Sequence, residues 1–490
     1  MLTIAEIKKF IDEDANSKKK KFARIGQKYY EGNHDINNYR IFYYNSDGKY
    51  VEDNTRSNIK ISHAFFTELV DQAVQYILSG SDGFIKSDMP ELQTELDAYF
   101  NDNEDFTAEL SEVLTDVQSK GFAYMHKYKD EDDRTVFQCA DAIGVVEVEA
   151  RFASDKQDHV LYWYIDRIDK DGKTVNRIMD WDAEQVTYYI QIGDGKIVKD
   201  KNEPINPSPH TLYKKEGDEK LYVKESKVKP SVPFFRMDNN KKQTSNLKTV
   251  KNLIDDYDLM ACGLSNNIQD AAEYTVVVSG FQGDNIEELI KNVKTKKHVG
   301  VEEGGDLNFK TVDIPYEARK VKLELDEKNI YRFGMGLNTA GLKDTSATTN
   351  IAIKAMYALL DLKCSKLIIK LKQFLRKIIK VVLDEINETN NTDYQMKDVY
   401  FDFNPEIMSN AQENAEIELT EAQRKQAEIT TLLNLAAHLD NETLMKLVCE
   451  QLDIDYDDIK SKLPDPNEPE NALSGAQTDL DSVVVENEAV

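Results

Sequence analysis

Apolar positions over the first ~130 residues recur every three or four places, the spacing of one helix face. Ile4, Ile7 and Ile11 open the series, Phe22, Ile25 and Tyr29 continue it, and Gly32 within YYEGNHDI interrupts it. HAFFTELVDQAVQYILSG predicts a second helical stretch, with Phe66, Leu69, Val70, Ala73, Val74 and Ile77 on one side and Gly80 as its stop. A third runs from Pro90 to Gly121 and carries an internal break near Asn101 to Asn103.

Between Phe122 and Phe235 the period falls to two. FAYMHKYKD, VLYWYIDRI, TVNRIMDWD and VTYYIQIG are rich in aromatic and β-branched residues. Asp171-Gly172, Asp194-Gly195 and Gly217-Asp218 punctuate them as hairpin turns, so an antiparallel meander is expected. Val232 to Asn240 reads as a linker. A long helix then begins after Thr244-Ser245, with a near-heptad seam of Val250, Leu253, Tyr257, Met260, Leu264, Ile268 and Ala271. TVVVSG leaves it as a strand into a small α/β insert, and Pro315 opens a further helix that Gly334 closes.

GMGLNTAGLKDTSATTN follows as a loop rich in Gly, Thr and Ser, long enough to suggest function or mobility. After it the periodicity predicts a helix from Asn350 to Asn387. Ile353, Met356, Leu360, Cys364, Leu367, Leu371, Phe374, Ile378 and Val382 make its apolar stripe, and Lys363, Lys366, Lys370, Lys377 and Lys380 line another face. From Lys354 to Lys380 there are eight basic residues and one acid. That face is either simply solvated or meets phosphate or an acidic neighbouring subunit. Residues 406–463 read as acidic and helical, and the last 27 have the composition of a disordered tail.

Composition narrows the classes. The chain has 490 residues, 40% of them hydrophobic, with a net charge of −27. From Pro405 onward there are 20 acidic and 5 basic residues, so half of the excess is local. A static nucleic-acid binder would be basic instead. Four widely spaced cysteines (139, 262, 364 and 449) give no disulfide framework or thiolate zinc site and fit a reducing cytoplasm. No membrane span or signal-peptide core is read, and a soluble intracellular protein is expected.

Candidate chemistry is thin. Gly336 to Lys343 starts like a phosphate loop, but Leu342 separates the second Gly from the Lys. The KDGK turn has Arg167 and Ile178 where a calcium loop needs acids. Asp453, Asp455, Asp457 and Asp458 could chelate a metal, yet no second carboxylate cluster accompanies them. The seven histidines form no HxxxH pair, and G-x-S-x-G is absent. No catalytic residue, cofactor or metal ligand is assigned.

The order of segments resembles the portal (head-to-tail connector) family of long-tailed bacteriophages. YYEGNHDI with NIKISHAFFTELVDQAVQYILSG carries part of the likeness, and KGFAYMHKYKDED leads into the β-rich region. The densest stretch is VPFFRMDNNKKQTSNLKTVKNLIDDYDLMACGLSNNIQDAAEYTVVVSG, where that family has a Val-Pro-initiated strand, an Asn pair and a Leu-Ile-Asp-x-Tyr-Asp helix. LNTAGLKDTSATTNIAIKAMYALLDLKCSKL resembles its loop and long helix, while Gly80-Ser81 stands where Gly-x-Pro is usual. The likeness covers residues 25–460.

The resemblance implies an α+β, mainly helical portal fold, in a ring of twelve subunits around a DNA channel. Residues 1–243 would form the wing, β-rich from about 122. Residues 244–274 and 315–333 would be stem helices, with Leu253, Tyr257, Met260, Leu264 and Ile268 as stem packing. Residues 275–314 would be the clip and 334–350 the tunnel loop, with Asn338, Thr339, Lys343, Asp344, Thr345 and Ser346 facing DNA. Residues 351–388 would be the long wing/channel helix, 389–463 the crown and 464–490 an acidic tail. The implied partners are double-stranded DNA read without sequence preference, the terminase large subunit, a head–tail adaptor, and major capsid and scaffolding proteins. The implied location is the portal vertex of the virion, after assembly in the bacterial host cytoplasm, with no membrane and no intrinsic catalysis. The alternative reading is a nucleic-acid-modifying, metal-dependent hydrolase using the acidic clusters. A monomeric adaptor is a third.

Overall fold

The computed structural model describes residues 2–54, 56–80, 83–130, 134–149, 157–210, 212–214, 221–223, 230–271, 275–279, 306–310, 315–338, 350–403, 411–434, 443, 444, 446, 447 and 449. Two compact units divide the chain: Met1–Ser346 with Lys354–Ile407, and Ala347–Ile353 with Met408–Val490.

The larger unit begins with α1 (Ile4–Ala15) and α2 (Lys18–Tyr30). Thr3 and Glu6 form a capping box at the start of α1. The buried face of α2 is Lys20, Ala23, Gly26 and Tyr29, one step round from the expected Phe22 and Ile25. The reason is a close helix crossing. A Cβ on Gly26 would lie 1.8 Å from the Ser119 carbonyl oxygen, so only glycine lets the helices approach. A short aromatic hairpin, β1 (Phe42–Tyr44) and β2 (Tyr50–Glu52), precedes α3 (Phe65–Leu78). Strand β3 (Ile85–Lys86) leads to α4 (Pro90–Leu96), a π turn at Asp97–Asn101, and α5 (Glu104–Lys120). The internal break thus falls where the asparagines predict it. Asn103 caps α5 by accepting from the Phe106 amide, and Gly121 ends it at φ 96°.

The β-rich part is antiparallel. Strands β4 (Phe122–Lys129) and β5 (Thr135–Ala140) pair with each other, and β6 (Val145–Glu149) to β9 (Gln185–Ile192) form the meander. Its long central strands are β7 (Gln157–Ile168) and β8 (Thr174–Trp181), turned at Gly172. Strands β10 (Val198–Lys199) and β11 (Ser208–Pro209) both edge β9. Strands β12 (Leu212–Lys214) and β13 (Leu221–Val223) pair separately, and Gly217-Asp218 lie outside the described residues. The expected linker is corrected by β14 (Phe234–Asp238), which pairs with β4 from Phe234↔His126 to Asp238↔Phe122. Its apolar run is too short to show a period, but Phe234 and Met237 are buried.

Helix α6 (Leu247–Ala271) follows, then β15 (Thr275–Ser279) paired with β16 (Asp306–Lys310), and α7 (Tyr316–Gly334). Helix α8 (Asn350–Asn390) is the longest among the described residues, at 41 residues. Its expected stripe from Leu360 to Val382 is buried. Strand β17 (Tyr400–Phe401) then pairs with β3. One apolar core joins α3, α5, α8, β4, β5 and parts of α6 and α7. In the smaller unit, α9 (Ala411–Asn434) carries an Arg424–Glu428 ion pair one turn apart at 3.1 Å. The chain is therefore α+β. No described helix is long and apolar enough to cross a membrane.

Candidate functional site

The hairpin of α6 and α7 and the loop after α7 are the elements that sequence singles out, and their surroundings fix how they are held. Lys322 on α7 bridges Asp256 on α6, at 2.5 Å, and Asp326 one turn along its own helix. Nearer the core, Phe65 packs edge-on to Tyr257 at 4.8 Å and to Tyr331 at 5.9 Å. The Tyr331 hydroxyl donates to Glu68 Oε2 at 2.6 Å.

Along α6 the buried line is Val250, Ile254, Asp258 and Cys262. Leu253 and Tyr257 lie half-buried against the main core, Met260 and Leu264 are half-buried, and Ile268 is 56% exposed. The polar members of the buried line answer to an extended strap, residues 57–63. Ser57 N–H donates to Asp270, Ile59 N–H to Asn266, Ile61 N–H to Cys262 Sγ and His63 N–H to Asp258. The alternate residues turn the other way: Asn58 and Lys60 donate to the carbonyls of Tyr39 and Asn37, and Ser62 to the Asn37 side chain. The strap is thereby pinned on both sides.

Asp258 is the centre of this arrangement. It accepts from His34 Nδ1 at 2.6 Å and His63 Nδ1 at 2.7 Å, with its own side chain fully buried. Burial pushes its carboxyl up, but the hydrogen bonds from His34 and His63 outweigh that and hold it below the ordinary carboxylate range. The His34 ring also stacks on Tyr29 at 4.5 Å. Beside it, Lys251 bridges Asp35 at 2.6 Å and Asp255 at 2.7 Å.

The base of the loop is a second fixed point. Helix α7 ends with Met335 in the left-handed region at φ 55°, so the left-handed cap is Met335 and Gly334 remains helical. Both flanking glycines are needed for a different reason. A Cβ on Gly334 would lie 2.5 Å from Leu69, and one on Gly336 would lie 2.2 Å from it. Gln72 then clamps Leu337, its amide donating to the Leu337 carbonyl at 2.8 Å and accepting from the Leu337 N–H at 2.9 Å. Asn338 donates to Glu327 at 3.3 Å. From the other side Lys363 of α8 donates to the Leu69 carbonyl at 2.8 Å, and burial lowers its ammonium to about 8. Leu69 and Gln72 thus hold the segment entering the loop, and Leu69 also receives α8.

Of the loop residues, Asn338 is described, whereas Thr339, Lys343, Asp344, Thr345 and Ser346 lie outside the described residues. On α8, Lys363 points inward, Lys370 is half-buried, and Lys366, Lys377 and Lys380 are exposed. Asp453, Asp455, Asp457 and Asp458 also lie outside the described residues. Among those described, no group of three or more His, Cys, Asp or Glu is placed to hold a metal ion. Sequence reasoning missed the roles of Asp258, His34, Leu69 and Gln72. The Gly-Met-Gly spacing was a readable sign of close approach, whereas nothing in the sequence marks the histidine pair.

Comparison with known proteins gives a consistent set of matches. Residues 8–455 match the family described as "Phage portal protein, SPP1 Gp6-like". A portal protein of Bacillus phage SPP1 is 26% identical over 375 residues, covering 75% of this chain and 71% of that protein. One from Clostridium phage phiCD119 is 26% identical over 375 residues, covering 73% of this chain and 77% of that one. Among solved structures, a chain from the neck of an empty GTA particle computed with C6 symmetry aligns over 79% of this chain and 90% of its own. Its TM-score is 0.41 at 10% identity.

Proposed function

The chain belongs to the SPP1 Gp6-like family of phage portal proteins, and from that premise we propose that it closes into a twelve-subunit ring around a channel for double-stranded DNA. The α6/α7 hairpin is the stem, with residues 275–314 as the clip at its far end. Residues 334–350 are the loop that narrows the channel, with Lys343 and its Thr and Ser neighbours meeting phosphate without reading bases. Helix α8 joins the wing to a crown that includes α9. The ring sits at one capsid vertex, receives DNA from the terminase large subunit during packaging, and later takes the head–tail adaptor. Capsid and scaffolding proteins surround it during assembly in the host cytoplasm. It does this as a structural conduit, without chemistry of its own.

The observation that most supports this reading is apolar surface left uncovered on the hairpin. Leu259 and Ile268 of α6 are 41% and 56% exposed, and Val321, Leu325 and Phe333 of α7 are 60%, 54% and 54% exposed. A helical hairpin with such a surface gains from a neighbour that covers it, and a repeated heterologous contact closes a ring.

The test is the native mass of the purified protein. A species near twelve times 56.1 kDa is expected, and a monomer at every concentration and salt would sink the proposal. Leu264→Asp places a carboxylate on the stem and is expected to lower the ring fraction sharply. Lys343→Ala is expected to leave assembly intact and reduce DNA per particle; wild-type DNA content would remove the loop from the account.

A further inference from the structure

The outward side of α8 has a composition that phosphate contact does not explain. Lys366, Lys377 and Lys380 are exposed there. Leu359, Leu362 and Ile369 share that stripe, and Ile369 is 59% exposed. Steps of three, four and eight place all six on one face of a helix. A DNA backbone rewards cations and offers nothing to a leucine. A protein surface rewards both, with apolar contacts at the centre and charges at the rim. Among the described residues, Lys366, Lys370, Lys377 and Lys380 form no ion pair.

The α4–α5 flank shows the reverse pattern. Between Ser87 and Ser119 the chain has ten acidic residues and no lysine or arginine. Among the described residues, one of the ten, Asp116, has a cationic partner, Lys120 at 2.9 Å. Asp102, Glu104, Asp105 and Glu112 are exposed, and Ala98 and Ala108 expose small apolar spots between the acids. Helices α5 and α8 bury their apolar sides in one core, so each turns its charged side outward from it. At 1.5 Å per residue, Lys366 to Lys380 spans about 21 Å and Glu104 to Asp116 about 18 Å. The two faces are opposite in sign and similar in length.

We propose that the outward face of α8 docks on the acidic α4–α5 flank of a second copy of this chain, and that this contact repeats around the ring. The inference rests on the ring reading above. Lysines and carboxylates pair at the rim of the contact, and Leu359, Leu362 and Ile369 pack over the alanines between the acids. Because the two faces differ, the contact is heterologous and propagates from one subunit to the next. Its charged rim also makes assembly sensitive to salt.

Charge reversal on the full-length chain tests this, read by mass photometry with thermal melts as the check on folding. Lys366→Glu with Lys377→Glu is expected to convert rings to monomers at concentrations where the wild type is closed. Asp102→Lys with Glu112→Lys is expected to do the same. All four substitutions in one chain restore complementarity and are expected to restore the ring. A carbodiimide treatment of the wild-type ring, which joins lysines directly to carboxylates, is expected to link α8 peptides to α4–α5 peptides of a neighbour. Ring mass unchanged in both double variants, a fourfold variant that stays monomeric, or absence of those cross-links would each overturn the contact. Lysine reversal that keeps the ring but lowers DNA retention would overturn it too and assign the face to phosphate. A wild type that never closes would instead bring down the ring reading itself.

Discussion

Asp258→Ala removes the carboxylate that ties α6 to the strap and to the turn after α2. In the wild type it accepts from His34 Nδ1 at 2.6 Å, His63 Nδ1 at 2.7 Å and the His63 amide at 3.0 Å. The side chains of Asp258 and His34 are fully buried, while the His63 ring is 29% exposed. Water can therefore replace the carboxylate at the His63 ring, but not at His34. An unsatisfied buried donor costs about 1–3 kcal/mol, at the upper end where its partner was a carboxylate. Two uncompensated donors, the His34 ring and the His63 amide, put the expected loss at about 3–5 kcal/mol. The better helix propensity of Ala returns about 0.5 kcal/mol of it. Hydrogen exchange of the segment 57–63 reads this locally, and the expected acceleration is about a hundred- to a thousand-fold. Asp258→Asn retains one acceptor oxygen and should show about half the effect on a free-energy scale. Wild-type protection of 57–63 in Asp258→Ala would refute the view that this carboxylate holds the strap.

Three further expectations follow from the same contacts. Gly336→Ala forces a methyl group into the buried Leu69 side chain and is expected to cost about 1–3 kcal/mol, seen as a lower Tm; an unchanged Tm would mean the loop base is loosely packed. Burial lowers Lys363 to about 8 from 10.5, so the folded protein binds fewer protons than the unfolded chain between those values. Stability should rise across that window by up to about 3 kcal/mol, and Lys363→Met should abolish the rise and raise the Tm at pH 7; a lower Tm would contradict this. Burial, with a smaller contribution from His210, lowers His126 to about 3, and burial lowers His210 to about 4. Both contribute stability that is present above their ordinary value of 6.5 and lost as pH falls toward the folded values. The slope approaches about 1.4 kcal/mol per pH unit for each, and His126→Phe should remove one such share from acid titrations of unfolding.

Periodicity alone located α3, α5 and α8, because each buries a broad aliphatic stripe, and it located α6 from a seam that the fold leaves half-buried or exposed from Leu253 to Ile268. It also found the break at Asn101 to Asn103 and the hairpin meander, where turn residues carry their own backbone preferences. It misplaced the buried face of α2, since Ala23 and Gly26 are small, and Lys20 is buried by donating to the carbonyls of Ala142, Ile143 and Val145. No hydropathy pattern marks a lysine as interior. Strand β14 was hidden for a related reason: its placement comes from pairing with β4, more than one hundred residues earlier in sequence. On α6 the interior positions 258 and 262 are Asp and Cys, chosen to accept hydrogen bonds, so an apolar seam could not reveal them. The family itself was legible because it lies in the order of segments, which survives where single motifs are weak.

The strap on α6 behaves like a vernier scale. Its rungs advance two extended residues at a time, about 6.6 Å, while the acceptors at 270, 266, 262 and 258 advance by four helical residues, about 6.0 Å. The two rulers drift by about 0.6 Å per rung, so four rungs accumulate nearly 2 Å and a much longer ladder would lose its hydrogen bonds. A slip to the next coincidence requires a jump of a whole rung, with every acceptor changing partner at once. Four rungs engaged together therefore hold the strap to α6 as one unit against small axial shifts, and a larger shift would move it by a fixed increment.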